Sequence, residues 1–177
     1  RSVVFEDDDI IVVDKPSGVL SVPSGPGIPS LAKTVHEYLE PTIGIRLEQM
    51  VVHRLGMDTS GLIVMGKNIE AIRNLNTMFR GRKVTRQYTA LVCGHVPSSE
   101  GLLTWPLMRD YEHPPYMRIS TNEHQAALVG LDPEVVGKKI LQAPKTALTH
   151  YLVEQQETIN NDPELPVTRL RLTSISG

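Results

Sequence analysis

Short runs of β-branched residues, rather than long amphipathic stretches, open the chain. Apolar residues dominate positions 2–5 and 10–14, and an acidic segment, residues 6–9, separates these two runs. Apolar runs of this length on either side of a polar turn are typical of paired strands. The segment Lys15-Pro16-Ser17-Gly18 then places proline and glycine where turns favour them. The pattern therefore predicts two strands followed by a turn.

Helical periodicity occurs twice. Ser30 precedes a run with a period of three to four residues, and its hydroxyl is suited to cap a helix that ends at Leu39. Asn68 precedes a second such run at positions 69–79. Gly81 follows this run, and we expect it to end the helix as the left-handed glycine just beyond the last turn.

The rest of the chain is rich in strands. We predict strands at residues 51–55, 62–67, 87–94, 101–107, 146–154 and 167–174, and a turn at residues 58–61. Segment 121–143 is less regular, with a short helix predicted at residues 133–136, and is interpreted as an inserted loop. Since no linker or repeat divides the sequence, we expect a single α+β domain over residues 1–177.

Composition narrows the classes of function. The chain has 177 residues, of which 40% are hydrophobic and 21% charged, as in globular proteins. Its one cysteine, Cys93, excludes an internal disulfide, and no apolar run approaches the roughly 20 residues that span a bilayer. The six histidines include no His-x-x-x-His pair, so the sequence does not support a metal site.

The net charge of −2 hides a local concentration of positive charge. Four basic residues lie within seven positions and have no acidic residue between them: Arg80, Arg82, Lys83 and Arg86. Such a cluster is either a solvated face or a surface that follows a nucleic-acid backbone. The composition leaves both interpretations open.

Three segments, in this order, carry a recognisable pattern. They are DDDIIVVDKPSGVLSVP at residues 7–23, VVHRLGMDTSGLIVMGKN at residues 51–68 and RQYTALVCG at residues 86–94. Together they resemble the motifs of the RluA-type pseudouridine synthases. Weaker agreement extends over nearly the whole chain, except segment 121–143.

The resemblance implies a fold and a reaction. The fold is α+β, with a mixed, mainly antiparallel β-sheet, flanking helices and a cleft that crosses the sheet. The reaction is the isomerisation of uridine to pseudouridine in ribosomal or transfer RNA, after the base is flipped into a pocket. It breaks the N1–C1′ bond, rotates the uracil and rejoins it through C5. The resemblance implies no cofactor, because the reaction involves neither redox change nor group import.

The same resemblance raises a question about catalysis. The catalytic aspartate of the family falls on Gly56 in this chain. Asp58 is a candidate substitute, but residues two apart in an extended chain lie about 6.5 Å apart. The alternative is that Asp58 is a turn residue whose carboxylate bonds its own backbone in an Asx turn. An alternative function follows, namely an RNA-binding pseudoenzyme with impaired catalysis.

The resemblance also implies roles for further residues. Tyr88 matches the active-site tyrosine, a candidate for removing the C5 proton, although a core-filling aromatic is the alternative. Arg54 matches an arginine that acts in base flipping or phosphate contact, with an ion pair to a carboxylate as its alternative. The predicted RNA-binding residues are His53, Arg54, Arg80, Arg82, Lys83 and Arg86. For His53, a structural hydrogen bond is the alternative.

The ends of the sequence suggest a longer protein. The chain begins without methionine or signal peptide and stops at Gly177, where the family motif continues with basic residues. We therefore expect further residues at both ends and a missing C-terminal part of the catalytic domain. We also expect an intracellular monomer whose partner is RNA, without membrane association.

Overall fold

The computed structural model describes residues 3–25, 27–40, 43–113, 116–132, 134, 142–161 and 164–176. It divides into two compact units, Arg1–Val84 and Thr85–Gly177. All the strand pairings in the described residues are antiparallel. The α+β class with antiparallel sheets is confirmed. The prediction that residues 1–177 form a single domain stays a prediction.

The first unit is a three-stranded sheet with helices. Its elements are β1 (Val3–Glu6), β2 (Ile10–Lys15), α1 (Leu31–Leu39), α2 (Leu47–Met50), β3 (Gly61–Gly66) and α3 (Ile69–Arg80), and the strand order is β1-β2-β3. Alternate residues of β2 and β3 bury Ile11, Val13, Ile63 and Met65. These side chains join four buried residues of α1 and Met50 in one apolar cluster. Period-two strands and a helical stripe thus share one core.

Both predicted helix starts are confirmed. The Ser30 hydroxyl accepts a hydrogen bond from Lys33 N at 3.2 Å, and Asn68 Oδ1 accepts one from Ala71 N at 2.9 Å. Each side chain thus satisfies one of the N–H groups that a helix leaves unpaired at its first turn.

The predicted strand at residues 51–55 is wrong. Only Val51 forms a bridge, to Met65, and the following residues are not in a strand. The reason lies in a side chain: His53 Nε2 accepts the hydrogen bond of Val64 N, at 3.0 Å. A histidine ring therefore takes the place that a backbone carbonyl of an added strand would fill.

The second unit contains two sheets. Strands β4 (Arg86–Cys93), β5 (Glu100–Leu103), β9 (Leu148–Thr158) and β10 (Pro166–Ser176) form the larger one, in the order β4-β10-β9-β5. Strands β6 (Pro106–Arg109), β7 (Met117–Ile119) and β8 (Lys145–Thr146) form the smaller one, and α4 spans Asn122–Ala127. The strands predicted at 87–94, 146–154 and 167–174 are confirmed as β4, β9 and β10.

One prediction for the second unit needs correction, and the inserted loop at 121–143 stays a prediction. The strand predicted at 101–107 is two strands in different sheets, and Pro106, which has no N–H for a ladder, begins the second. The segment interpreted as an inserted loop contains α4, capped by the Thr121 hydroxyl, which accepts from His124 N at 3.3 Å. The short helix predicted at 133–136 falls largely outside the described residues.

Candidate functional site

Residues 56–59 of the second motif form a β-turn. Thr59 N donates to the carbonyl oxygen of Gly56 at 3.2 Å, which places Met57 and Asp58 at the two central positions. Gly61 then enters β3 with φ of +128°, a conformation that side-chain-bearing residues rarely adopt. The glycine of the Thr-Ser-Gly sequence is therefore required by the backbone.

Residues of the first motif donate hydrogen bonds to the backbone of this turn. Lys15 is fully buried, and its Nζ donates to the carbonyl oxygens of Pro16, Val19 and Met57 at 2.9, 2.7 and 2.8 Å. Gly18 N also donates to the Met57 oxygen, at 3.0 Å. An ammonium group has three N–H donors, and here each has a carbonyl acceptor. The lysine thereby ties the turn of its own motif to the turn of the next.

Two serines extend this attachment. Ser17 Oγ donates to the carbonyl oxygen of Asp58 at 2.8 Å. Ser21 Oγ donates to the Leu55 oxygen at 2.7 Å and accepts from Leu55 N at 3.1 Å. Lys15-Pro16-Ser17-Gly18 was predicted to form a turn and to belong to the first motif, but its positioning role was missed. Burial alternates along β2, with Ile11, Val13 and Lys15 buried, but the residue types do not alternate, so no sequence signal marked Lys15 as inward.

Gly56 borders an open pocket of about 350 Å³. The lining residues are Leu20, Ser21, Val22, Arg54, Leu55 and Gly56. Gly56 does not have a positive φ, and a Cβ placed there would lie 3.4 Å from Thr59 Oγ1. The position thus accepts a side chain with only slight adjustment. Gly56 is not a glycine that the turn demands.

Arg54 is exposed beside this pocket. Among the described residues, no carboxylate lies within 4.0 Å of its guanidinium, so the alternative ion pair is not formed there. Its predicted contact with RNA stays a prediction.

Asp58 is exposed at the end of the turn. Its carboxylate makes no hydrogen bond with any residue that the structure describes, so the Asx turn proposed as its alternative role is wrong. The backbone turn of residues 56–59 has replaced it. Asp58 is held instead through its carbonyl oxygen, which leaves the carboxylate facing water.

His53 has a defined structural environment. Its ring stacks on Phe79 with centroids 4.6 Å apart and an angle of 23° between the planes. Because Nε2 accepts from Val64 N, that nitrogen carries no proton in this arrangement. The hydrogen bond is the one that a structural role requires. Contact of His53 with RNA stays a prediction.

Tyr88 and Arg86 lie on one face of β4 in the second unit. The strand alternates half-buried and exposed residues, and both side chains are half-buried. Tyr88 pairs with Leu172 of β10, while Arg86 pairs with Ser174 and its Nη2 donates to Ser174 Oγ at 3.1 Å. The tyrosine therefore lies on a sheet face with an arginine two residues away.

The C-terminal end of α3 corrects another prediction. Gly81 is not left-handed, with φ of −76°; Arg82 is, with φ of +54°. Lys83 N donates to the Met78 oxygen at 2.9 Å and Arg82 N to the Phe79 oxygen at 3.2 Å, which is the Schellman pattern. Arg80, Arg82 and Lys83 are all exposed.

One group of side chains in the described residues has the composition of a metal site: Asp110, Glu112 and His113. Arg118 Nη1 already lies 3.3 Å from Asp110 and 3.1 Å from Glu112. Partial burial raises the pKa of Asp110, but the N–H groups of Glu112 and His113 and the Arg118 charge outweigh it, so the pKa is lowered overall. The arginine supplies the positive charge that a metal would bring.

None of the helices in the described part of the chain has both the length and the apolar character needed to cross a membrane.

The fold and the hydrogen-bonded pair of motifs can now be compared with known protein families. A profile described as RNA pseudouridylate synthase matches residues 9–170, and the chain belongs to this family.

Individual relatives agree with this assignment. The dual-specificity RNA pseudouridine synthase RluA of Vibrio vulnificus is 38% identical over 122 residues, which are 69% of this chain and 46% of that protein. The protein of the same name from Escherichia coli K12 is 36% identical over 122 residues, or 66% of this chain and 51% of that protein. The chain thus spans about half the length of the curated relatives it matches.

Solved structures show the same fold. Human RNA Pseudouridylate Synthase Domain Containing 1 superposes with a TM-score of 0.71 at 24% identity, covering 99% of this chain and 60% of that one. Human RNA Pseudouridylate Synthase Domain Containing 4 gives 0.67 at 21% identity, covering 99% and 59%.

Proposed function

We propose that this chain isomerises uridine to pseudouridine in ribosomal or transfer RNA, without a cofactor. The observation that carries the proposal is the second motif, presented on a turn that the first motif holds by three hydrogen bonds, from Lys15, Ser17 and Gly18, with a further one from Ser21 to the preceding Leu55. A catalytic group misplaced by about 1 Å can lose on the order of 10²-fold in rate, so a loop fixed through its backbone suits catalysis.

The reaction needs a pocket for a flipped base. The N1–C1′ bond breaks, the uracil turns, a C5–C1′ bond forms, and the C5 proton leaves while N1 takes one up. The opening beside Gly56 and Arg54 offers about 350 Å³, enough space for a pyrimidine ring. In this proposal Arg54 contacts the RNA backbone or takes the place of the flipped base.

Asp58 is the proposed catalytic carboxylate. It lies two residues after Gly56 in the same turn, and its carboxylate is free of protein hydrogen bonds within the described residues. Tyr88 is proposed to take the C5 proton. The prediction that Arg54, Tyr88 and the 56–58 segment line one cleft stays a prediction.

RNA binding is proposed to use His53, Arg54, Arg80, Arg82, Lys83 and Arg86. Each phosphate contacted by one of the basic side chains displaces counterions and makes affinity dependent on salt. The single catalytic domain, the inserted loop at 121–143 and the monomeric state also stay predictions. Light scattering of the purified chain would measure the last.

Tritium release tests the activity. RNA labelled with 5-tritiated uridine loses tritium to water when C5 becomes bonded to ribose. We expect release by the wild-type chain and a loss of about 10³-fold or more in Asp58→Asn. Glu48→Gln is the matched control, because Glu48 is an exposed acid of the same unit that lies in α2, outside the turn.

The Gly56→Asp variant separates the two candidate functions. Because position 56 accepts a Cβ, the variant should fold. No release by wild type together with release by Gly56→Asp would favour the RNA-binding pseudoenzyme, whose remaining site is intact. Release that survives Asp58→Asn would contradict the role given to Asp58 alone.

A further inference from the structure

The end of α3 contains an arginine where glycine is the favoured residue. Arg82 has φ of +54°, and among the described residues only Asn160 is another non-glycine residue with positive φ. Asparagine tolerates this region because its side chain bonds locally, whereas a long side chain has no such compensation. Arg82 is therefore a point of backbone strain.

The neighbouring glycine does not take the left-handed conformation, because its φ of −76° continues the helix. A Cβ on Gly81 would lie 3.1 Å from the Thr77 oxygen and 3.7 Å from Lys83 Cγ. The Lys83 stem thus lies close to the bare backbone of Gly81. The Schellman hydrogen bonds then require the next residue, Arg82, to be left-handed.

The charges of α3 are separated along its length. Glu70 in the first turn shares a pocket of about 390 Å³ with Asp7 and Asp9. The helix has 12 residues and is about 18 Å long, so its basic end lies well away from these acids. Within the described residues, Arg80, Arg82 and Lys83 form no ion pair.

Attraction to the helix dipole explains only part of this cluster. Basic residues near a helix C-terminus are favoured by the dipole, and Arg80, in the last turn, meets that requirement with ordinary backbone geometry. A glycine at position 82 would keep Arg80 and Lys83 and remove the strain. The dipole therefore does not account for arginine at position 82.

We infer that Arg82 is an RNA-phosphate-binding residue, kept in a strained backbone conformation at the expense of fold stability. This inference rests on the proposed function, since it takes RNA as the partner. It adds that affinity and stability oppose each other at this one position. A left-handed residue at a fixed helix end also presents its side chain with little backbone freedom, which favours a defined phosphate contact over a diffuse attraction.

Three variants of the full 177-residue chain separate charge from strain. Arg82→Gln removes the charge and keeps a Cβ in the left-handed region; Arg82→Gly removes both; Arg82→Lys keeps the charge and the strain. The measurements are the thermal midpoint and the affinity for a fluorescein-labelled tRNA transcript between 0.05 and 0.3 M salt.

Arg82→Gly is expected to change stability and RNA affinity in opposite directions. Arg82→Gly should raise the thermal midpoint by about 2 to 5 °C, and Arg82→Gln should not. Both should reduce the slope of log affinity against log salt by about 0.7 to 0.9, the contribution of one phosphate contact. If wild type and variant bind equally at 1 M salt, this slope makes the variant about 5- to 8-fold weaker at 0.1 M salt. Arg82→Lys should keep most of the slope, because lysine also serves phosphate as a point charge.

Two results would overturn the inference. One is an unchanged salt slope in both Arg82→Gln and Arg82→Gly, and the other is a thermal midpoint that Arg82→Gly fails to raise. Tritium release by the same variants is recorded separately. Absent release by wild type counts against the proposed function, whereas affinity for tRNA alone decides the inference; a wild-type chain without such affinity refutes it.

Discussion

The two units of this chain are stabilised in different ways. In the first, residues of β2, β3 and α1 bury a contiguous apolar cluster, and a buried lysine joins two motif turns. In the second, the fully described long strands β9 and β10 pair over nearly their whole length, while the buried apolar residues described there are only Met108, Val167 and Leu170. The first unit therefore depends on side-chain packing and the second mainly on backbone pairing.

This difference separates the two groups of candidate residues. The turn at residues 56–59 belongs to the packed unit, and its backbone is held from several directions. Tyr88 belongs to the paired unit and lies on a strand whose face is only half-buried. Close packing in the first unit fixes the position of the turn, whereas a half-buried sheet face in the second unit leaves surface that a ligand can contact. The predictions that follow test this contrast.

The largest effect is expected from Lys15→Met. The substitution leaves three carbonyl oxygens of the first unit, those of Pro16, Val19 and Met57, without their common donor. Losing a charged donor inside the protein should lower the free energy of unfolding by about 4 to 5 kcal/mol. Urea unfolding measures it.

The matched control for that variant is Lys33→Met. The Lys33 side chain is 45% exposed and has an ion pair to Glu37 at 3.9 Å, so its loss should change stability by less than about 0.5 kcal/mol. Equal effects of the two substitutions would show that the buried lysine does not hold the first unit together.

Truncation of apolar residues compares the two units directly. Ile63→Ala opens a cavity in the core of the first unit, where the residue is 1% exposed, and should cost about 3 to 4 kcal/mol. Leu172→Ala, on the half-buried face of β10, should cost about 1 kcal/mol. Hydrogen exchange measured by mass spectrometry assigns each loss to its unit. A larger loss for Leu172→Ala would reverse the comparison.

One tight position in the second unit departs from this pattern. A Cβ on Gly101 would lie 2.5 Å from Tyr151 Cε1 of the paired strand, so Gly101→Ala must displace that ring. We expect a loss of about 1 to 2 kcal/mol in thermal unfolding. Gly44→Ala is the control, because nothing lies within 4 Å of its added Cβ and its φ is not positive. A neutral Gly101→Ala would mean that Tyr151 yields freely.

The smallest effect is expected in the dependence of stability on acidic pH. The N–H groups of Ile10 and Asp9, at 2.8 and 2.9 Å, and secondarily the Lys67 charge lower the pKa of Asp7 from its ordinary 3.8. A lowered pKa stabilises the fold above the ordinary value, and the stabilisation is lost as the pH falls through the lower, folded-state value.

Asp7→Asn should therefore lower the thermal midpoint at pH 7, and the difference from wild type should shrink below about pH 4. Asp8→Asn is the control, since its exposed carboxylate has no hydrogen bond among the described residues. A difference that grows on acidification would contradict the assignment.

Much of the fold followed from local pattern. The apolar run at residues 10–14, the helical periods after Ser30 and Asn68, and the strand-like segments at 146–154 and 167–174 all predicted elements that the structure contains. The motifs at 7–23, 51–68 and 86–94 predicted the family. These signals are local because burial on one face repeats every two residues in a strand and every three to four in a helix.

The site could be predicted only in part. Gly56, Asp58, Arg54 and Tyr88 were candidates from the motifs, but the positioning role of Lys15 was missed. Lys15 and Met57 are 42 residues apart, and no period in the sequence records a hydrogen bond over that separation. Contacts of this kind exist only after the chain has folded.

Sequence alone thus determined the class of fold and the family, and it predicted that Gly56 occupies the position of the family's aspartate. Tertiary structure alone decided that the His53 ring occupies the place of a strand, that Arg82 rather than Gly81 is left-handed, and that a buried lysine holds the turn at residues 56–59. The physical reason is common to all three. In each case a backbone N–H or C=O group needs a hydrogen-bond partner. The partner is fixed by the packing of the folded chain and not by the preferences of the local sequence.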